Sequence, residues 1–269
     1  MNFEINDTEF KRFSSLIYSI AGITLTDAKK VLLTGRLSRR LTALNFGNFT
    51  QYYKFVTDAG HTEELQRMVD LLTTNETYFF REPQHFDLLK QIIPNAIKQG
   101  QTYRVWSAAS SNGAEAYTIA MVLAEKLGIK GAWEVVGTDI SNSILTQARG
   151  AHYRIAETES IPREYLKAYC LKGIGSQEGT FLIDKELRQH VSFEQMNLNT
   201  EGLKGLGNFD VIFLRNVLIY FDIPTKQRVV SNLIPFLKNG GYFIVGHSES
   251  LNNISHNLVQ VKPTIYQRQ

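Results

Sequence analysis

The chain has 269 residues, a hydrophobic share of 43%, a charged share of 20% and a net charge of +3. That suits one large globular unit or a medium domain with a smaller partner, and the charge is too small to imply nucleic acid by itself. No apolar run approaches a membrane span, since the densest, residues 210–221, is broken by Arg215 and Asn216, so no membrane insertion is expected. A single cysteine, Cys170, precludes an internal disulfide, and no signal peptide is visible, so a reducing cytoplasm is expected.

Residues 7–74 carry helical periodicity and no strand pattern. Phe10, Phe13, Ile17 and Ile20 recur at three- and four-residue intervals, as do Leu33, Leu37, Leu41 and Leu44. Gly22 can end the first helix, and Thr26 or Asp27 can cap the second. Residues 48–57 and 62–72 read as two more helices. Between Ala28 and Phe55 lie Lys29, Lys30, Arg36, Arg39, Arg40 and Lys54 with no acidic residue, a basic stripe that points to an acidic partner.

From Tyr103 the pattern alternates. Strands are expected at residues 104–107, 134–137, 210–214 and 242–245, with helices at 116–127, 142–149 and 225–237. Such alternation argues a mostly parallel sheet covered on both faces. Residues 261–267 form a possible last strand, placed by Pro263 at an edge or at the strand's start. Residues 162–195, with strand-like stretches at 180–183 and 191–194, read as a small antiparallel excursion.

Three segments could carry chemistry. In the first, residues 103–117, an apolar run reaches a row of small residues and Gly113, then opens into a helix, which is how an α/β protein presents backbone amides to a ligand. The segment lacks a phosphate-binding glycine pattern and carries Glu115, which would repel phosphate. Asp139, ending the next strand, either accepts hydrogen bonds from the two hydroxyls of a ribose or caps the following helix. An adenosine ligand with a positive centre and an amino acid end fits, as in S-adenosylmethionine. The second segment, residues 73–83, holds Asn75, Thr77 and Arg81; it either grips a carboxylate through Arg81 or serves as an interdomain hinge. The third, residues 209–221, ends an apolar strand at Arg215 and Asn216, where either a ligand or a rim salt bridge would satisfy the arginine.

Taken in order, Asn75-x-Thr77-x-x-x-Arg81-Glu82, Ser107-Ala108-Ala109-x-x-x-Gly113-x-Glu115, Gly137-Thr138-Asp139-Ile140-Ser141 and Arg215-Asn216-Val217-x-Ile219-Tyr220-Phe221 resemble the bacterial chemotaxis receptor methyltransferases, the CheR family. The resemblance implies a Rossmann-like class I S-adenosylmethionine-dependent methyltransferase fold with a seven-stranded sheet. An N-terminal all-α domain would span residues 1–78 and a methyltransferase domain 79–269, with an antiparallel β-subdomain inserted at about 165–195. The implied activity is methyl transfer from S-adenosylmethionine to glutamate side chains of chemoreceptors, leaving S-adenosylhomocysteine. Carried onto this sequence, Asn75, Thr77, Arg81, Gly113, Glu115, Asp139, Asn197, Leu198, Arg215 and Asn216 would hold the cofactor, and Arg215 and Tyr220 would face the reacting centre. The helix bearing Lys29, Arg36, Arg39 and Arg40 would meet the acidic helices of the receptor methylation region. The β-subdomain resembles that of members that dock on a receptor C-terminal peptide. A monomer is expected, with no nucleic-acid partner and no metal, because the six histidines show no ligand spacing. Ala114 and Ala116 depart from the family's habit of a second acid and a proline. Two rival readings are a non-catalytic, cofactor-binding adaptor on receptors and a methyltransferase for a small molecule or nucleic acid; the absence of any Pro-Pro pair weighs against base methylation.

Overall fold

The computed structural model describes residues 3–94 and 97–269. Four helices form the N-terminal unit: α1 (Asp7–Ala21), α2 (Lys30–Ala43), α3 (Phe49–Val56) and α4 (Thr62–Leu72). Asn6 and Glu9 cap α1 reciprocally, each side chain accepting from the other's amide, which satisfies two amides that the first turn leaves open. Asn48 caps α3 in the same one-sided way that Asp222 caps a later helix. The expected caps of α2 differ: a short turn at Asp27–Lys29 precedes the helix, and neither Thr26 nor Asp27 caps it through a side chain. Phe10, Phe13, Ile17, Leu33, Leu37 and Leu41 are buried against Tyr52 and Met68. Each such side chain contributes roughly 1.5–3 kcal/mol over leaving it in water.

The remaining elements are α5 (Gln84–Ile92), β1 (Tyr103–Ala108), α6 (Ala114–Leu127), β2 (Trp133–Asp139), α7 (Asn142–Gly150), β3 (His152–Arg154), α8 (Arg163–Tyr169), β4 (Cys170–Lys172), β5 (Thr180–Ile183), α9 (Lys185–Arg188), β6 (Val191–Gln195), β7 (Phe209–Leu214), α10 (Ile223–Leu233), β8 (Leu237–Val245), β9 (Leu258–Lys262) and β10 (Ile265–Arg268). Seven strands form one sheet in the order β6-β2-β1-β7-β8-β10-β9, in which β10 alone runs antiparallel to its neighbours. The order runs outward from β1 in both directions, so β1 and β7 flank a topological switch point, the crevice where open α/β sheets bind ligands.

Two stretches depart from the local pattern. Val191–Gln195 pairs in parallel with β2 and belongs to the main sheet, while the small antiparallel sheet is β3-β5-β4 and begins at His152. Periodicity within residues 191–195 could not tell which neighbour the strand joins, because a strand buried in a parallel sheet and one in a hairpin can look alike. The last segment is a hairpin rather than one strand: Pro263 and Thr264 form the turn between β9 and β10, and β9 takes the edge. Among the described residues, no helix is long and apolar enough to cross a membrane.

The helical unit lies over the carboxyl ends of the central strands. Thr24 donates its amide to the Tyr220 carbonyl at 3.0 Å, and Ile23 forms an antiparallel bridge with Phe221. The Asp70 carboxylate, near the end of α4, accepts the amides of Asn142 and Ser143 at the start of α7, at 3.2 and 3.1 Å. A carboxylate there complements the positive end of the helix.

Candidate active site

The switch point opens into a cavity of about 1250 Å³, mouth included, roofed by the helical unit. Its floor is the turn between β1 and α6. Ala109 and Ser111 adopt positive φ of 66° and 51° there, Phe80 and Glu82 lie at 55° and 57° in the segment after α4, and Asn216 at 58° follows β7. Five non-glycine residues in this disfavoured region, gathered where three segments converge, are strain of the kind that concentrates at functional sites.

Asp139 ends β2 and is buried. Its Oδ2 accepts the Ser111 amide at 2.9 Å and its Oδ1 the Ser141 amide at 3.0 Å. Burial pushes its carboxyl up, against the pull of these amides. Both readings made from sequence are therefore partly present: the carboxylate supports the helix start, yet it lines the cavity with lone pairs to spare for two hydroxyls. The side chain that caps α7 is that of Ser141.

Glu115, in the first turn of α6, faces the cavity while Ala114 and Ala116 on either side point into the core. Its Oε1 accepts from Ser107 Oγ at 2.7 Å and its Oε2 from Arg215 Nη1 at 2.8 Å. Arg215 is 1% exposed at its side chain; its Nη2 reaches Glu82 Oε2 at 2.9 Å and the Arg81 carbonyl at 2.5 Å, and the guanidinium lies over the Phe86 ring. The arginine is thus held between two carboxylates, so the rim salt bridge and the ligand site read from sequence occupy the same residue.

Asn75, Thr77, Arg81, Glu115, Asp139, Asn197, Leu198, Arg215, Asn216 and Tyr220 all line the cavity, together with Ile140 and Met196. Arg81 donates to the Glu76 carbonyl at 2.9 Å, and Asn197 donates to the Ile20 carbonyl at 2.7 Å, tying the wall to α1. Gly113 does not line it. It begins α6 at φ 88°, and a Cβ there would come within 2.9 Å of Phe193 and 3.0 Å of Ala148. Its role is to let α6 start close against the sheet.

The basic stripe is only partly open to a partner. Arg40 makes a two-pronged pair with Glu64, at 2.8 and 2.7 Å, and Tyr52 donates to the same carboxylate. Arg36 donates to the Leu72 and Thr73 carbonyls, closing the end of α4. Neither is available for the substrate contact expected of it, because each guanidinium already satisfies a group inside the helical unit. Lys29 and Arg39 are exposed, and Lys29 stands at the cavity mouth.

Two further carboxylates organise the site: Glu82, which closes the first of the quoted motifs but is given no role by the sequence, and Glu249, which the sequence does not single out. Glu249 is buried and accepts the amides of Gly246 and Asn216, both at 2.7 Å, and of Ile219 at 3.3 Å. The only local signal for either was an acid in a short polar loop beyond an apolar segment. The fold also brings Glu82, His85 and His247 within 4.8 Å, although the histidines are far apart in sequence. A cation there would sit beside Arg215, on a carboxylate that already accepts from Arg215, Asn216 and the His247 amide.

A mostly parallel sheet with a buried acid at the end of its second strand and a cavity at its switch point defines a Rossmann-like α/β protein. Comparison with known proteins narrows this. The family described as CheR methyltransferase, SAM binding domain, matches residues 75–267, and its all-alpha domain matches residues 8–73. A chemotaxis protein methyltransferase of Escherichia coli is 39% identical over 97% of this chain and 91% of its own length. Chemotaxis protein methyltransferase 2 of Pseudomonas aeruginosa is 37% identical over 98% and 94%, and a chemotaxis protein methyltransferase of Borreliella burgdorferi 35% over 100% and 96%. The chain belongs to the CheR methyltransferase family. It is an S-adenosylmethionine-dependent methyltransferase.

Proposed function

We propose that this chain methylates glutamate side chains of chemoreceptors, forming glutamyl methyl esters for sensory adaptation, with Asn75, Thr77, Arg81, Glu115, Asp139, Asn197, Leu198, Arg215 and Asn216 around the cofactor. One observation carries the choice of acceptor. Among the described residues, no histidine or cysteine lines the cavity, its two inner carboxylates are already engaged, Glu115 by Arg215 and Asp139 by backbone amides, and its third, Glu76, is exposed to solvent. The site therefore lacks an obvious general base and suits an acceptor that needs none. A glutamate, with an unperturbed pKa near 4.3, is such an acceptor at neutral pH.

When bound, the cofactor supplies an electrophilic methyl on a sulfonium, which passes to a carboxylate oxygen as the carbon–sulfur bond breaks and its electron pair stays on sulfur. The protein's part is orientation, which can lower a barrier by roughly 7–11 kcal/mol in favourable cases. Tyr220, half-buried on the cavity wall, would donate to the second carboxylate oxygen, and Arg81 also lines the cavity. Arg215, enclosed by Glu82 and Glu115, acts here by fixing the wall rather than by gripping the acceptor. Too strong a grip would stabilise the ground state and slow transfer.

Lys29 and Arg39 would steer an acidic receptor helix to the mouth. On the small sheet, Leu171 and Ile174 are 52% and 82% exposed, an apolar surface suited to a receptor C-terminal peptide. The protein would act as a monomer in the cytoplasm. Incubation with methyl-labelled S-adenosylmethionine and a receptor cytoplasmic fragment tests the reading. Label on receptor glutamates that is released by base is expected; label stable to base, or none, would overturn it.

A further inference from the structure

We propose that Glu82 is the positioning residue of this active site, setting Arg215 and Asn216 against the bound cofactor. It rests on the reading above that Arg215 and Asn216 form part of the cofactor site. Glu82 lies on the segment between the helical unit and α5, in neither of the loops it organises. Its Oε2 accepts from Arg215 Nη2 at 2.9 Å and from the His247 amide at 3.1 Å, and its Oε1 from Asn216 Nδ2 at 3.0 Å. One carboxylate thereby joins the ends of β7 and β8, the two strands on one side of the switch point. Arg215 and Asn216 both line the cavity, whereas Glu82 does not, so it acts through them.

The backbone supports this assignment. Glu82 is held at φ 57° and Asn216 at φ 58°, so each end of the Glu82–Asn216 bond has a strained backbone. Glu115 supplies a second carboxylate to Arg215, but on Nη1 and from the opposite side. Without Glu82, Nη2 would keep the Arg81 carbonyl, at 2.5 Å, but no charged partner; with it, each terminal nitrogen meets a carboxylate. Arg215 Nε is buried and without a partner among the described residues, so nothing else restrains the group at that atom.

The test is a double-mutant cycle read by S-adenosylhomocysteine binding in calorimetry, with thermal melts of the free protein alongside. Glu82→Gln keeps the shape but sets an amide where one oxygen met Arg215 or Asn216. Its Kd should rise at least tenfold, and the same change in a background carrying both Arg215→Ala and Asn216→Gly should have at most a twofold effect, since it would have little left to position. Equal losses in both backgrounds would show a general structural role and overturn the proposal, as would unchanged affinity in the single variant. Should Glu82→Gln not fold, Glu82→Asp keeps the charge near Arg215 but is too short to hold Asn216 and the His247 amide together. A severalfold loss is then expected, and wild-type affinity would overturn the proposal. Because the readout is product binding, it stands apart from the receptor assignment: binding losses as expected with no receptor labelling would remove the proposed acceptor and leave the role of Glu82 in place.

Discussion

Arg215 Nη1 lies 2.8 Å from Glu115 Oε2, linking the residue after β7 to the first turn of α6 across the switch point. The two charged residues, on opposite sides of the crevice, are therefore one charged unit. A change at either end of the cavity will be felt at the other.

Glu115→Gln should weaken S-adenosylhomocysteine binding. Hydrogen bonds to charged groups contribute roughly 1.5–3 kcal/mol, which is about 10- to 150-fold in Kd. Glu82 would still balance the charge of Arg215, so the melting temperature should change little. Calorimetric titration checks this, and wild-type affinity would remove Glu115 from the cofactor site.

Acid should destabilise the protein in two stages. Burial, reinforced by the charge of Arg215, presses His85 down to about 3 from an ordinary value of 6.5, so the unfolded chain takes up a proton that the folded one refuses, and stability falls as pH drops below 6.5. Glu82 is held at about 2: burial would raise it, but hydrogen bonds from Asn216 and Arg215 outweigh this, so its contribution is present above pH 4.5 and lost as pH falls toward 2. Urea melts of the wild type should lose about 2 kcal/mol between pH 7 and pH 5 from the histidine alone. In His85→Gln that first loss should be absent, and an unaltered profile would show that His85 is not its source.

Two neighbouring arginines should behave differently. Arg40→Glu sets a carboxylate beside Glu64 and should cost about 2–3 kcal/mol of stability. Arg39→Glu reverses an exposed charge and should leave stability within about 0.5 kcal/mol while slowing receptor methylation, most at low salt. Denaturant melts and initial rates measured together separate the two effects.

Gly113→Ala should destabilise by at least about 1 kcal/mol, because the new methyl group would press on Phe193 and Ala148 at a backbone angle that suits glycine. The displaced start of α6 would carry Glu115 with it. A melt and an S-adenosylhomocysteine titration should both be impaired; a stable variant with normal binding would show that α6 can shift without cost.

Docking of a receptor C-terminal peptide on the small sheet, as proposed, is better tested by point changes than by removing residues 165–195. That deletion would take β6 out of the main sheet and Tyr165 from its packing on Phe80. Leu171 and Ile174 are exposed and can be changed without disturbing either.

Local sequence alone determined most of the helices and central strands and the turn beneath the cavity. The spacing of Phe10, Phe13 and Ile17 marks a helix face, and the passage from Val105 through Gly113 to Glu115 marks a ligand turn, because periodicity and turn chemistry act between residues close in the chain. What lies on the far side of each polar group was decided by the tertiary structure. Arg36 and Arg40 share a helix with Lys29 and Arg39, and only folding sets Glu64 and the end of α4 against the first two. Asp139 can cap or bind from sequence; in the fold Ser141 caps the helix, while Asp139 holds the Ser141 amide and faces the cavity. Glu82 meets Arg215 and Asn216 across nearly half the chain. An ion pair depends on distance in space and on exclusion of water, and neither is written in the spacing of residues along the sequence.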